Sequence, residues 1–124
     1  MAGEIVLIIE DDGHIGGLVA QVLREAGYSP EHVRDVSTAN TWREQGGQPA
    51  AIISDLMVPG SSGPDRLPAE LGAMFPAVPV AIMTGVPPRR RAALGVTHDR
   101  VIEKPFEIET LLAEVKSMLA ARAP

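Results

Sequence analysis

The chain has 124 residues, 45% of them hydrophobic but only 3% aromatic, with 22% charged and a net charge of −5. That length and composition suit one domain with a core of Ile, Val, Leu, Ala and Met, and they exclude disorder as the ground state. Lacking cysteine, the chain can hold no disulfide, thiolate nucleophile or Cys-type zinc site; its acidic balance gives no footprint for nucleic acid, and no apolar run approaches the ~20 residues of a membrane span. The opening MAGE also lacks a basic leader region, so a cytoplasmic location is expected.

Residues 4–10 (EIVLIIE) form a continuous apolar run that ends in acid. Such a run suits a strand buried on both faces, as in a parallel sheet. Glu10, Asp11 and Asp12 are adjacent, and neighbouring carboxylates repel unless a cation lies among them. Asp12 stands where it can cap the next helix. That helix carries Ile15, Leu18, Val19, Val22, Leu23 and Ala26 inward at helical spacing. Gly16 and Gly17 each cost it up to ~1 kcal/mol relative to alanine, and close packing is the one sequence reason for them. Gly27 ends the helix.

Residues 31–36 read as a weak edge strand, because charges interrupt its apolar run. Residues 38–45 follow as a short helix with Trp42 on its inner side, ended by Gly46, Gly47 and Pro49. Residues 50–55 (AAIISD) are another buried strand, and Pro59-Gly60 breaks the run beyond it. Asp55 therefore sits where a central strand stops. Taken alone it has two readings, a cap for the following turn or a ligand group at the sheet edge. The helix that begins near Pro64 presents Leu67, Leu71 and Met74 on one side, with Pro68 bending or delaying its start.

A fourth apolar run, residues 78–83, ends at Thr84-Gly85. The least regular stretch follows: Val86, Pro87, Pro88, then Arg89, Arg90 and Arg91. Any helix there is short, near residues 89–94, and the arginines read as a solvated face. His14, His32 and His98 share no metal-ligand spacing, and His98 reads as a loop residue. Residues 100–103 are the fifth strand and lead into Lys104-Pro105-Phe106. The last helix, residues 108–121, turns Ile108, Leu111, Leu112, Val115, Met118 and Leu119 inward. No linker or repeat marks a second unit, so a single domain over 1–124 is expected.

Five strand–helix pairs call for an α/β fold with a parallel sheet, helices on both faces and right-handed crossovers. Parallel strands bring Glu10-Asp11, Asp55, Thr84 and Lys104 to one edge. Carboxylates in that number suit a hard divalent cation such as Mg²⁺, which takes one or two carboxylates plus waters and phosphate oxygens. A carboxylate can also attack phosphorus, giving an aspartyl phosphate, while the metal and Lys104 offset charge on the transferring group.

At these residues the chain resembles the receiver domains of two-component response regulators. The matching pieces are IIEDD at 8–12, ISDLMVPG at 53–60 with Gly63 beyond, MTG at 83–85 and EKPF at 103–106. Four pieces in order, each at a strand end, make the resemblance specific over essentially the whole length. It implies a flavodoxin-like (CheY-like) doubly wound five-stranded parallel sheet of order 2-1-3-4-5. It implies that Asp55 accepts a phosphoryl group from a phosphohistidine on a sensor histidine kinase or histidine phosphotransfer protein. Asp11 and Asp55 would ligate Mg²⁺ (or Mn²⁺) directly, with the Met57 carbonyl as a backbone ligand and Glu10 acting through water. Thr84 and Lys104 would hold the phosphoryl oxygens. In such domains the Lys104-Pro105 bond is commonly cis. The protein would then be a signalling phosphoacceptor, not an enzyme with an external substrate, acting on an unknown protein target with no nucleic-acid or membrane contact.

Four departures accompany the resemblance. The first acid is Glu10. The residue three before the lysine, often aromatic and part of the activation switch, is Val101. The stretch from Thr84 to Lys104 is short and holds Pro87-Pro88. No output domain is evident. Two alternatives remain at this point: a receiver-like interaction module that works without phosphorylation, and a haloacid-dehalogenase-like phosphatase. The latter needs an acid two residues after its nucleophile, where this chain has Met57.

Overall fold

The computed structural model describes residues 3–121. Strand β1 (Ile5–Ile9) leads to helix α1 (Gly13–Glu25), then β2 (Ser29–Val33), α2 (Val36–Glu44), β3 (Ala51–Asp55), α3 (Leu67–Met74), β4 (Val80–Thr84), α4 (Pro88–Ala93), β5 (Val101–Glu103) and α5 (Ile108–Ala121). The sheet runs β2-β1-β3-β4-β5 with every pairing parallel, the order the resemblance implies.

Alternation along each central strand divides the core into two layers. Val6, Ile8, Ala51, Ile53 and Met83 face Val19 and Leu23 of α1 and Leu111, Val115 and Met118 of α5. Leu7, Ile9, Ile52 and Ile82 face the other way, toward Ala39 of α2 and Leu67, Leu71 and Phe75 at α3. Trp42 packs at the rim of this second layer, its ring 6.3 Å from that of Phe75. Both faces being covered, the strands can be apolar without alternation. Truncating a fully buried residue such as Ile53 to alanine would cost about 2–5 kcal/mol.

Several helix boundaries follow the local signals. Asp12 caps α1 by accepting the His14 and Ile15 amides, and Gly27, with φ of +97°, follows the C-cap at Ala26. Pro68 stands at the first turn of α3, which starts later than Pro64. The short α4 begins at Pro88, close to the expected span.

Four expectations are corrected. The edge strand runs over Ser29–Val33, not 31–36, because Asp35 caps α2 by accepting the Thr38 amide and draws Val36 into that helix. Leu18 is 52% exposed and Ala26 is exposed too, since the buried residues of α1 are Gly16, Val19, Ala20, Val22 and Leu23. Each helical residue turns about 100°, which carries Leu18 off that buried face. Ile108 is 53% exposed, its end of the core being covered by half-buried Phe106. Arg91 is not part of a solvated face, unlike exposed Arg89 and Arg90. It reaches back to donate to the Val86 carbonyl at 2.7 Å.

Candidate functional site

Parallel pairing sets the site. Ile9 pairs with Ser54, so Glu10 comes to rest beside Asp55, and Met83 pairs with Asp55, which brings Thr84 to the next strand end. Thr84 pairs with Glu103, and the Lys104 amide donates to the Thr84 carbonyl at 2.8 Å. All the side chains singled out at strand ends therefore converge on one edge of the sheet. The lysine precedes a cis peptide bond to Pro105.

Glu10 is only 1% exposed. Its carboxylate accepts from Lys104 Nζ at 2.7 Å and from the Asp12 amide at 3.2 Å. Burial pushes its pKa above the ordinary glutamate value, and the neighbouring Asp55 charge adds to that, while Lys104 and the Asp12 amide act in the opposite sense. Of the three adjacent acids, Glu10 takes Lys104 as its cation. Its Nζ also lies 3.6 Å from Asp55 Oδ1.

Asp55 is half-buried, and its Oδ1 accepts from the Leu56 amide at 2.7 Å. This is a contact with the adjacent amide, not the bond to a residue two or three further on by which an aspartate caps a turn. Both contacts fall on Oδ1, and among the described residues Oδ2 has no hydrogen-bond or ion-pair partner. Oxygens of Glu10, Asp11 and Asp55 lie within 4.8 Å of one another. Three carboxylates at that separation, one exposed, one half-buried and one buried, fit a hard divalent cation with water completing its shell.

Thr84 is 2% exposed, and its hydroxyl accepts from the Val86 amide at 3.0 Å. A hydroxyl that accepts one bond still has a proton to donate. Met57, in the turn after β3, is 56% exposed.

The match to the response regulator receiver domain extends over residues 6–116. The chain belongs to that family. Among curated relatives the receiver is 31% identical to the phosphate regulon transcriptional regulatory protein PhoB of Klebsiella pneumoniae, over 96% of this chain and 53% of that protein. It is 32% identical to the C4-dicarboxylate transport transcriptional regulatory protein DctD of Pseudomonas aeruginosa, over 94% of this chain and 25% of that one. The receiver thus spans about half the length, or less, of the curated relatives it matches. Two solved structures superpose closely. The signal receiver domain of a signal transduction histidine kinase from Syntrophus aciditrophicus has 28% identity and a TM-score of 0.79, covering 98% of this chain and 96% of that one. Chemotaxis response regulator CheY4 of Vibrio cholerae has 27% identity and a TM-score of 0.73, covering 94% and 99%.

Two residues that bear on the receiver's site escaped the sequence reading. Arg91 was grouped with its neighbours by charge alone. His32 has no metal-ligand spacing to the other histidines, yet its Nε2 lies 2.8 Å from the Glu10 carbonyl. The register of an edge strand containing a proline carries no sequence signal, so nothing pointed to that contact.

Proposed function

We propose that Asp55 is the phosphoacceptor of this receiver, taking its phosphoryl group from a phosphohistidine on a sensor histidine kinase or histidine phosphotransfer protein. The observation that carries this reading is the position of Asp55 between Lys104 Nζ, 3.6 Å away, and the carboxylates of Glu10 and Asp11. Oδ2 attacks phosphorus, the phosphorus–nitrogen bond breaks, and the imidazole nitrogen departs with the electron pair. Lys104 and the Thr84 hydroxyl hold phosphoryl oxygens as charge shifts onto them.

Asp11 and Asp55, with the Met57 carbonyl, would hold Mg²⁺ or Mn²⁺ directly, and Glu10 would act through water. Glu10 suits the indirect role because its carboxylate is already bound by Lys104 and the Asp12 amide. When bound, the cation neutralises charge on the transferring group. Exposed Leu18 lines an open apolar groove of about 370 Å³ with Ile15, Pro105 and Phe106, and the groove reaches Lys104. A protein presenting a phosphohistidine to Asp55 would rest there.

Among the described residues no helix is long and apolar enough to cross a membrane. A cytoplasmic setting follows from the proposed donor, whose kinase works with ATP. The output is contact with a protein target. The experiment is intact mass after incubation with acetyl phosphate and Mg²⁺. Wild type should gain one phosphoryl group, and Asp55→Asn should fold and gain none. An unlabelled wild type would favour an interaction module, and steady release of phosphate would favour a phosphatase.

A further inference from the structure

We infer that His32 is a positioning residue for the acidic pair of the site, acting through the backbone of Glu10; this rests on the metal-binding role proposed above. β1 ends at Ile9, one residue before Glu10. The Glu10 amide is secured by the Val33 carbonyl at 3.0 Å. Its carbonyl, beyond the end of the strand, meets His32 Nε2 at 2.8 Å. A carbonyl only accepts, so the ring must carry its proton on Nε2.

Gly16 makes this contact possible. It is buried in α1, and a Cβ built there would overlap the imidazole of His32. The ring passes beneath the helix where a side chain would otherwise stand, which explains a glycine inside a helix that alanine would favour. Gly17 has open space around it, and nothing in the structure explains it.

The bond fixes one specific plane. The Glu10 carbonyl and the Asp11 amide belong to the same rigid peptide unit. Holding that carbonyl fixes the position of the Asp11 Cα, the point from which the Asp11 side chain leaves the chain. The Lys104 and Asp12 contacts orient the Glu10 carboxylate, and the His32 bond places the backbone from which Asp11 departs. Partners that orient metal ligands in this way typically influence affinity by about 10- to 100-fold when removed.

His98 supplies an internal control. Its Nε2 lies 2.6 Å from the Val80 carbonyl, at the first residue of β4 and hence the opposite edge of the sheet. The experiment measures Mg²⁺ affinity by calorimetry for wild type, His32→Ala, His32→Gln, Gly16→Ala and His98→Ala, with folding checked by circular dichroism. Expected are about tenfold weaker Mg²⁺ binding in His32→Ala and Gly16→Ala, partial recovery in His32→Gln, and unchanged binding in His98→Ala. Should His32→Ala not fold, Gly16→Ala and His32→Gln against His98→Ala still decide the matter. Unchanged affinity in folded His32→Ala or Gly16→Ala, or an equal loss in His98→Ala, would overturn the role of His32. Failure of wild type to bind Mg²⁺ would instead overturn the metal reading on which it rests.

Discussion

Arg91 holds the carbonyl of Val86 at 2.7 Å, and the amide of the same Val86 is bound to the Thr84 hydroxyl at 3.0 Å. One residue of the β4–α4 loop therefore joins a side chain of the site to the guanidinium of α4. Arg91 also approaches Glu103 at 3.7 Å, the residue next to Lys104. Val101 is short and stiff at χ1, so no aromatic ring turns behind Thr84 in this receiver. If Thr84 is drawn toward a phosphoryl group, the strain falls on Val86 and then on Arg91. Amide hydrogen exchange with beryllium fluoride and Mg²⁺ should change protection across residues 85–94. Arg91→Ala should loosen the same stretch without ligand, by roughly three- to tenfold, as loss of one hydrogen bond implies. Changes confined to residues that touch the ligand would sink this switch.

The two acids of β1 should contribute unequally to metal binding. Asp11 is exposed, whereas the Glu10 carboxylate is buried and already bonded to Lys104. Asp11→Ala should weaken Mg²⁺ affinity more than Glu10→Ala, read by titration calorimetry. The reverse order would exchange the direct and water-mediated roles.

Once formed, the aspartyl phosphate should be long-lived. The side chains two residues after Asp55 and Thr84 are Met57 and Val86, neither able to hydrogen-bond an attacking water. Met57 is exposed, so it can be exchanged without disturbing the core, while Val86 packs against the second core layer. Met57→Asn should speed hydrolysis by about tenfold, equivalent to about 1.4 kcal/mol of barrier. Equal half-lives by quenched gel assay would remove the argument.

Acid stability should show the α2 cap. The Thr38 hydroxyl and amide hold the Asp35 carboxyl below its ordinary value of 3.8. Its folded pKa is depressed, so its contribution is complete above 3.8 and lost as pH falls through the folded value. Asp35→Asn keeps an acceptor for the cap but does not titrate. The drop in thermal midpoint from pH 7 to pH 3 should therefore be smaller in Asp35→Asn than in wild type. Equal drops would contradict the cap's role.

The strand ends were legible because they combine two strong local signals, a continuous apolar run and an abrupt polar residue. Glu10, Asp55, Thr84 and Lys104 needed only the parallel topology to bring them together, and the register confirms that placement. What the periodicity of α1 and α5 could not give was the rotation of each helix on the sheet. Leu18 and Ile108 fit an apolar stripe, but neighbouring Gly16 and Phe106 decide where the buried face lies. Edge strand β2 was misplaced because Asp35 serves the following helix, a competition between two adjacent elements. His32 and Arg91 were missed for a related reason: each bonds a backbone carbonyl on another element, and such carbonyls have no side-chain signature.

The charge balance of the site has a thermodynamic consequence. Glu10, Asp11 and Asp55 carry three formal negative charges against the single positive charge of Lys104, a deficit equal to one divalent cation. An anion arriving at the cation-free site meets net repulsion, whereas one arriving after the cation does not. Cation and phosphoryl-like anion should therefore be heterotropic partners, each raising the affinity of the other by the same factor. The receiver's response to a phosphodonor should then depend on the free Mg²⁺ around it.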